Sequence, residues 1–400
     1  MWPFLLSSLG LLLALYGGLG IRATSPNPPA RLLSGSLDVQ QLVGWDPEGR
    51  SLVFLAASAE GRTLLYRAAE EEGATPEPLL TQPLYEHPQQ VVLSPDGQRL
   101  AFTAEEEGQN WLFVGRPGEP AERVALVGEL KAPAPLAWSP EGSRLAFGRR
   151  AEQDYSLYVL SLEGGGTALD LHFQAPCQAV AWSPDGQKLA FINPQNGPPC
   201  LYVFSFTPPR LRLYQPVADL RLVWSPTSWH VAALGRRFNR PKIYLFDTRA
   251  VPLIRRLNPQ GQAAEDDPPA WAPDGLRLAF AARSHPRART HQVYLVALPE
   301  LEPLYRLSRS GRDNHSPAWS PDGQWLVYVS ERGRDVSGRE RADLRFVRPD
   351  RPGRPKILAP YPFVTAPHWS PDGTQLAFLV SQEKGTALGV AEVQDFLASP

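Results

Sequence analysis

The side chains best placed to do chemistry in this 400-residue chain are arginines. Twelve of them fall in four short windows of the second half. These are Arg236, Arg237 and Arg240; Arg283, Arg287 and Arg289; Arg309 and Arg312; and Arg332, Arg334, Arg339 and Arg341. A guanidinium keeps its charge and presents a planar fork of donors that matches carboxylate or phosphate bidentately. The chemistry this offers is recognition of an anion. Bond-making chemistry is harder to find. The chain has no G-x-S-x-G elbow, P-loop, G-x-G-x-x-G or C-x-x-C. No cofactor is therefore expected. The seven histidines are scattered, and His87, His315 and His368 are the three with comparable surroundings, just before or within short apolar segments. No rigid element supplies three metal ligands at once. The only cysteines are Cys177 and Cys200.

The elements that must position these residues come from a repeat. Trp-Ser-Pro-Asp-Gly, followed by a Leu-Ala-Phe-like strand, recurs around Trp45, Leu93, Trp138, Trp182, Trp224, Trp271, Trp319 and Trp369. Successive copies are 48, 45, 44, 42, 47, 48 and 50 residues apart. Eight copies at that period mean one repeat array rather than several domains. Within a copy, a short apolar strand A ends at the Trp. Pro then presets φ, Asp suits the next position and Gly accepts a positive φ, so the chain reverses into strand B. Lys188–Ile192 is one such strand, Val293–Val296 a strand C, and Lys356–Leu358 a closing strand D. The segments are short and β-rich, and no helix-length amphipathic stretch separates them.

Four short antiparallel strands per period predict an all-β, eight-bladed β-propeller. The last copy stops after strand C, whereas Ala30–Ser34 precedes the first copy as a spare fourth strand. That strand is expected to complete blade 8 and close the ring, leaving little edge unpaired. In blade 5, Thr227-Ser228 replaces Asp-Gly, which predicts a strained positive φ at Ser228. Cys177 and Cys200 both fall in blade 4, about 9–10 Å apart across two strand spacings. A disulfide there requires loop movement. The repeated Trp and Phe are expected to pack between neighbouring sheets.

Composition agrees. Apolar residues make up 43% and charged residues 20%, enough for a core, and 43 Pro with 32 Gly suit a turn-rich β fold. The net charge of −1 argues against a nucleic-acid binder. Residues 1–200 carry a net −9 and residues 201–400 a net +8, so the disc should be electrically polar. Residues 1–21 contain a 16-residue apolar run, Phe4–Leu19, of signal-peptide length. No Lys or Arg precedes the run, which also suits an uncleaved membrane anchor. Residues 22–29 read as a linker and 30–400 as the propeller.

The Trp-Ser-Pro-Asp-Gly-x-x-Leu-Ala-Phe repeat resembles that of the TolB-type propeller family, from residue 30 to about 393. TolB itself carries an α/β domain before its propeller, and only about 30 residues precede the ring here. The resemblance implies a periplasmic or lumenal, non-catalytic scaffold that docks a protein. Two alternatives stand beside it. One is a metal-dependent polysaccharide lyase with His87, His315 and His368 at the channel mouth; the other is a carbohydrate or cell-wall binder. In the propeller, B–C and D–A loops share one face. The twelve arginines then converge over blades 5–7, and an acidic protein surface or anionic glycan is the expected partner.

Overall fold

The computed structural model describes residues 30–57, 63–69, 75–79, 89–128, 135–151, 154–164, 166–173, 175–194, 197–216, 218–237, 240–249, 254–257, 267–285, 287–298, 305–308, 312–334, 338, 340–351, 353–382 and 385–399. The signal-peptide or anchor segment, the linker and His87 lie outside these residues. Among the described residues no helix is long and apolar enough to cross a membrane.

Eight four-stranded antiparallel sheets make up the fold. Seven are consecutive in sequence, from Asp38–Trp45 at the start of blade 1 to Lys356–Pro362 at the end of blade 7. The eighth joins the chain ends. It runs Arg31–Leu32, Gly385–Glu392, Gln375–Gln382, Val364–Trp369. Arg31 pairs with Val390 and Leu32 with Gly389. Leu33 N–H donates to the Leu388 carbonyl at 2.9 Å, and Leu388 N–H donates to Ser34 Oγ at 3.1 Å. The spare N-terminal strand thus closes an eight-bladed ring. A five-residue helix after strand C of blade 8 (Gln394–Ala398), which the sequence reading lacks, packs Phe396 edge-on to Phe346 at 5.7 Å.

Apolar strands B and C form the sheet centres, where Phe54, Phe102, Phe147, Phe191, Phe246, Phe280, Phe346 and Phe378 are fully buried. The repeated tryptophans lock one blade to the next. Trp138 Nε1–H donates to the Val92 carbonyl at 3.2 Å, the residue before the repeat position of the preceding blade. Trp182 bonds Ala137, Trp224 bonds Ala181, Trp271 bonds Val223, Trp319 bonds Ala270, Trp369 bonds Ala318, and Trp45 reaches round to His368, all at 3.0–3.2 Å.

The A–B turns are equally regular. In all eight blades the fourth turn residue donates its N–H to the first turn carbonyl at 2.8–3.0 Å. Glycine is required for two reasons. At Gly97 φ is +69°, and a Cβ would meet Pro47 of the preceding turn at 2.5 Å. Blade 5 takes the strain with Ser228 at φ +60°, as its sequence predicts. Its hydroxyl compensates by accepting the Asp185 N–H at 3.0 Å, and Lys188 Nζ donates to its carbonyl at 3.0 Å. Cys177 and Cys200 are free thiols. Burial pushes the Cys177 thiol up to about 12, so it is an inert core group.

Candidate functional site: the loop face of blades 5 to 7

The sequence places its arginines in loops, and the structure moves several of them onto hairpins. In blade 5, strands B (His230–Arg237) and C (Arg240–Asp247) run almost to the tip, with Arg236 opposite Pro241 and Arg237 opposite Arg240. In blade 6 an open connection from Ala282 to Gln292 carries Arg283, Arg287 and Arg289; Arg287 and Arg289 are exposed. A turn shapes this loop, with Ala288 N–H donating to the His285 carbonyl at 3.0 Å. In blade 7, Arg332 and Arg334 lie on strand B (Leu326–Arg334) and Arg341 on strand C (Glu340–Val347). A bulge at Glu331–Gly333 re-aims the end of that hairpin, with Gly333 opposite Arg341. Arg309 and Arg339 lie outside the described residues.

One acid divides these arginines into two kinds. Asp343, on strand C of blade 7, is 1% exposed. Arg332 Nε lies 2.8 Å from its carboxylate, Arg312 Nη1 3.5 Å and Arg345 Nη2 3.7 Å. A carboxylate taken out of water needs opposite charge and donors around it. Arg312 and Arg332 therefore hold the frame of the site. Arg334 instead pairs with exposed Glu340 at 3.2 Å, an arrangement worth little in water. Arg287, Arg289, Arg332, Arg334 and Arg341 have side chains exposed at this face, Arg332 while its Nε reaches Asp343. The sequence signal for Asp343 was an acid two residues from Arg345 in the segment 342–347, whose other residues, Ala342, Leu344, Phe346 and Val347, are apolar.

On either side of the D–A connection into blade 7, Ser308, Arg312 and Asn314 are tied by a buried amide network. Gln292 Nε2 donates to the Arg312 carbonyl at 2.9 Å, and Ser308 Oγ donates to Gln292 Oε1 at 2.8 Å. Asn314 Nδ2 donates to the Arg312 carbonyl at 2.6 Å. Beside it, His291 Nδ1 lies 3.1 Å from Asp313 Oδ1. Burial raises the Asp313 pKa, but hydrogen bonds from His291 outweigh it and hold the carboxyl below its usual range. Asp267, buried at the start of blade 6, accepts from the Ser316 N–H and, at 2.8 Å, from Ser316 Oγ. Burial pushes its pKa up against those bonds.

His315 and His368, the two histidines of the lyase alternative among the described residues, stand at different positions along strand A. His315 Nδ1 is 3.0 Å from Ser316 Oγ and its Nε2 3.3 Å from Glu331. His368 sits directly before Trp369, three residues further along strand A than the position equivalent to His315 in blade 8, Thr365. Three residues of strand span about 10 Å. No group of three or more His, Cys, Asp or Glu among the described residues could hold a metal ion.

Paired hairpin strands, a buried amide network and exposed guanidinium groups form a surface suited to binding an anion. No family model matches the chain. Among solved structures, a eukaryotic initiation factor superposes with a TM-score of 0.58 at 13% identity, over 91% of this chain and 88% of that one. TolB from Acinetobacter baumannii gives 0.40 at 16% identity, over 88% and 80%. The tricorn protease gives 0.45 at 13% identity, over 86% of this chain and 36% of its own. The likeness to the initiation factor is one of propeller fold.

Proposed function

We propose that this chain is an extracytoplasmic, non-catalytic propeller scaffold that docks an acidic protein surface on the loop face of blades 5–7. One observation carries the reading. Exposed Arg287 and Arg289 of blade 6 and Arg334 and Arg341 of blade 7 stand on neighbouring connections of a rigid ring, on its more basic half. Arginine is favoured at interface anchors, and a fixed scaffold spares the ordering cost of binding. The TolB-type repeat and the apolar run Phe4–Leu19 support export and docking.

The test reverses Arg287, Arg289 and Arg334 to Glu together. Arg332 stays, because its reversal would set a second carboxylate against buried Asp343. The triple variant should melt within about 1 kcal/mol of the parent, since exposed charges contribute little. Partner capture from a native membrane extract should fall, and parental capture should weaken with added salt. Equal capture by the triple variant at low salt overturns the reading. Capture that survives protease treatment of the extract replaces the protein partner with an anionic glycan.

A further inference from the structure

Seven of the eight blade junctions are filled by an indole, and the eighth is not. At the junction of blades 1 and 2 the repeat position is Leu93, which has no side-chain donor. The carbonyl in the acceptor position there belongs to Gly44, the residue before Trp45. In six of the other junctions the residue before the repeat position is Ala or Val, and it packs in the same cluster as the next blade's indole: Ala137 with Trp182, Ala181 with Trp224, Val223 with Trp271. Gly44 has no side chain, and a Cβ built on it would meet nothing within 4 Å. Two departures thus remove volume from one place, one on each side of the junction.

The result is an open pocket of about 460 Å³ lined by Val43, Gly44, Val92 and Leu93, by Trp45, and by the polar groups of Gln41, Asp46 and Ser94. The turn prolines Pro47, Pro95 and Pro371 also line it, which sets it at the turn face, across the ring from the arginines. Small-molecule pockets commonly measure about 300–1,000 Å³.

We propose that this cavity is a binding site for a small planar aromatic ring bearing one N–H donor, a ligand of the indole class. The seven filled junctions define the complementary shape. Each takes a flat ring between two strands A and satisfies its N–H on a main-chain carbonyl. At the eighth, the same carbonyl position is offered and the ring must come from outside the chain. Gly44, at φ +154°, also keeps a backbone conformation that side chains rarely adopt, so the opening does not refill by simple substitution at that position.

The test titrates the full chain with free indole and follows the methyl NMR signals of Val43, Val92 and Leu93. Saturable shifts are expected with a Kd on the order of 1 mM or tighter, as suits a ligand of so few atoms. 1-Methylindole keeps the ring and loses the donor, so it should bind about tenfold more weakly. Leu93→Trp should abolish indole binding by filling the site from within. Leu93→Phe fills volume without a donor and should also block indole, which covers the case in which the Trp variant fails to fold. Absence of saturable shifts overturns the proposal, as does undiminished indole binding in a folded Leu93 variant. Equal affinity for indole and 1-methylindole overturns the assigned role of the carbonyl.

Discussion

On the turn face, eight loops repeat one hydrogen-bond pattern, with the fourth N–H returned to the first carbonyl in every blade. On the loop face, the connections of blades 5, 6 and 7 differ throughout. One is a hairpin whose strands pair as far as Arg237 and Arg240, one a connection with an internal turn, and one a bulged hairpin over a buried acid. Both faces belong to the same strands. The difference lies in what each must satisfy. A turn that packs against the next turn, as Gly97 packs on Pro47, tolerates almost no change. A connection that faces solvent can vary freely, provided the charges it draws inward are matched. A repeat protein can therefore hold its ring constant on one side and carry individuality on the other.

Cutting the ring is the most drastic way to break this contrast, because it affects both faces at once. Deleting residues 30–36 removes the fourth strand of blade 8, including Leu33, which is 5% exposed. Loss of that burial and of the strand's hydrogen bonds should cost about 4 kcal/mol, and the uncovered edge should aggregate. Thermal denaturation with light scattering reads both effects. An unchanged melting curve would show that the ring does not need this strand.

Next in size is the buried acid of the loop face. Asp343→Ala strips three guanidinium groups of their shared partner and should destabilise by about 3 kcal/mol in urea unfolding. Arg334→Ala, which breaks an exposed pair on the same hairpin, should change stability by less than about 0.5 kcal/mol. Similar values for the two would erase the distinction between frame and surface arginines.

The junctions give the third comparison. Trp182 stacks on Phe206 at 5.2 Å, and its indole N–H reaches Ala137 at 3.2 Å. Trp182→Phe should cost about 2 kcal/mol, from a lost hydrogen bond and a partial cavity. A neutral result would mean that the inter-blade bond adds nothing to packing.

The smallest effect is a pH dependence on the turn side. Burial depresses the His230 pKa below 6.5, opposed by Asp247 at 3.7 Å. The folded state then binds fewer protons than the unfolded one, so stability rises with pH. The contribution is complete above pH 6.5 and is lost as pH falls below it toward the depressed folded value. Melting temperature should fall slightly between about pH 7 and pH 5.5, and less in His230→Gln. Identical slopes would remove His230 as the cause.

The ring was legible because turn chemistry and strand alternation are local. Trp-Ser-Pro-Asp-Gly specifies a reversal wherever it occurs, and eight copies with a spare strand leave few ways to close. Even the strained Ser228 could be read from its neighbours. The site was legible only in part. Spacing gathers the arginines to one sector, but whether Arg332 points at solvent or at Asp343 depends on a partner eleven residues away across a hairpin. The same holds for Gln292, whose buried amide ties Arg312 in place from twenty residues away. The cavity at Leu93 shows the reverse. The missing Trp was visible in the sequence, and only the pairing of each indole with the preceding blade gave the gap a shape.

The closing strand also sets an order of events during synthesis. Arg31 and Val390 are paired across 359 positions of sequence. At a translation rate of about 5–20 residues per second, the first strand waits roughly 20 to 70 s before its partner exists. Blades 1 to 7 can each complete their own sheet as they emerge, since all four strands are consecutive. Blade 8 cannot, and until Gly385–Glu392 is made the nascent ring has an open strand on each side of the gap. The closing strand is thus made early yet is among the last elements to reach its native place, and whatever holds it meanwhile must release it on that timescale.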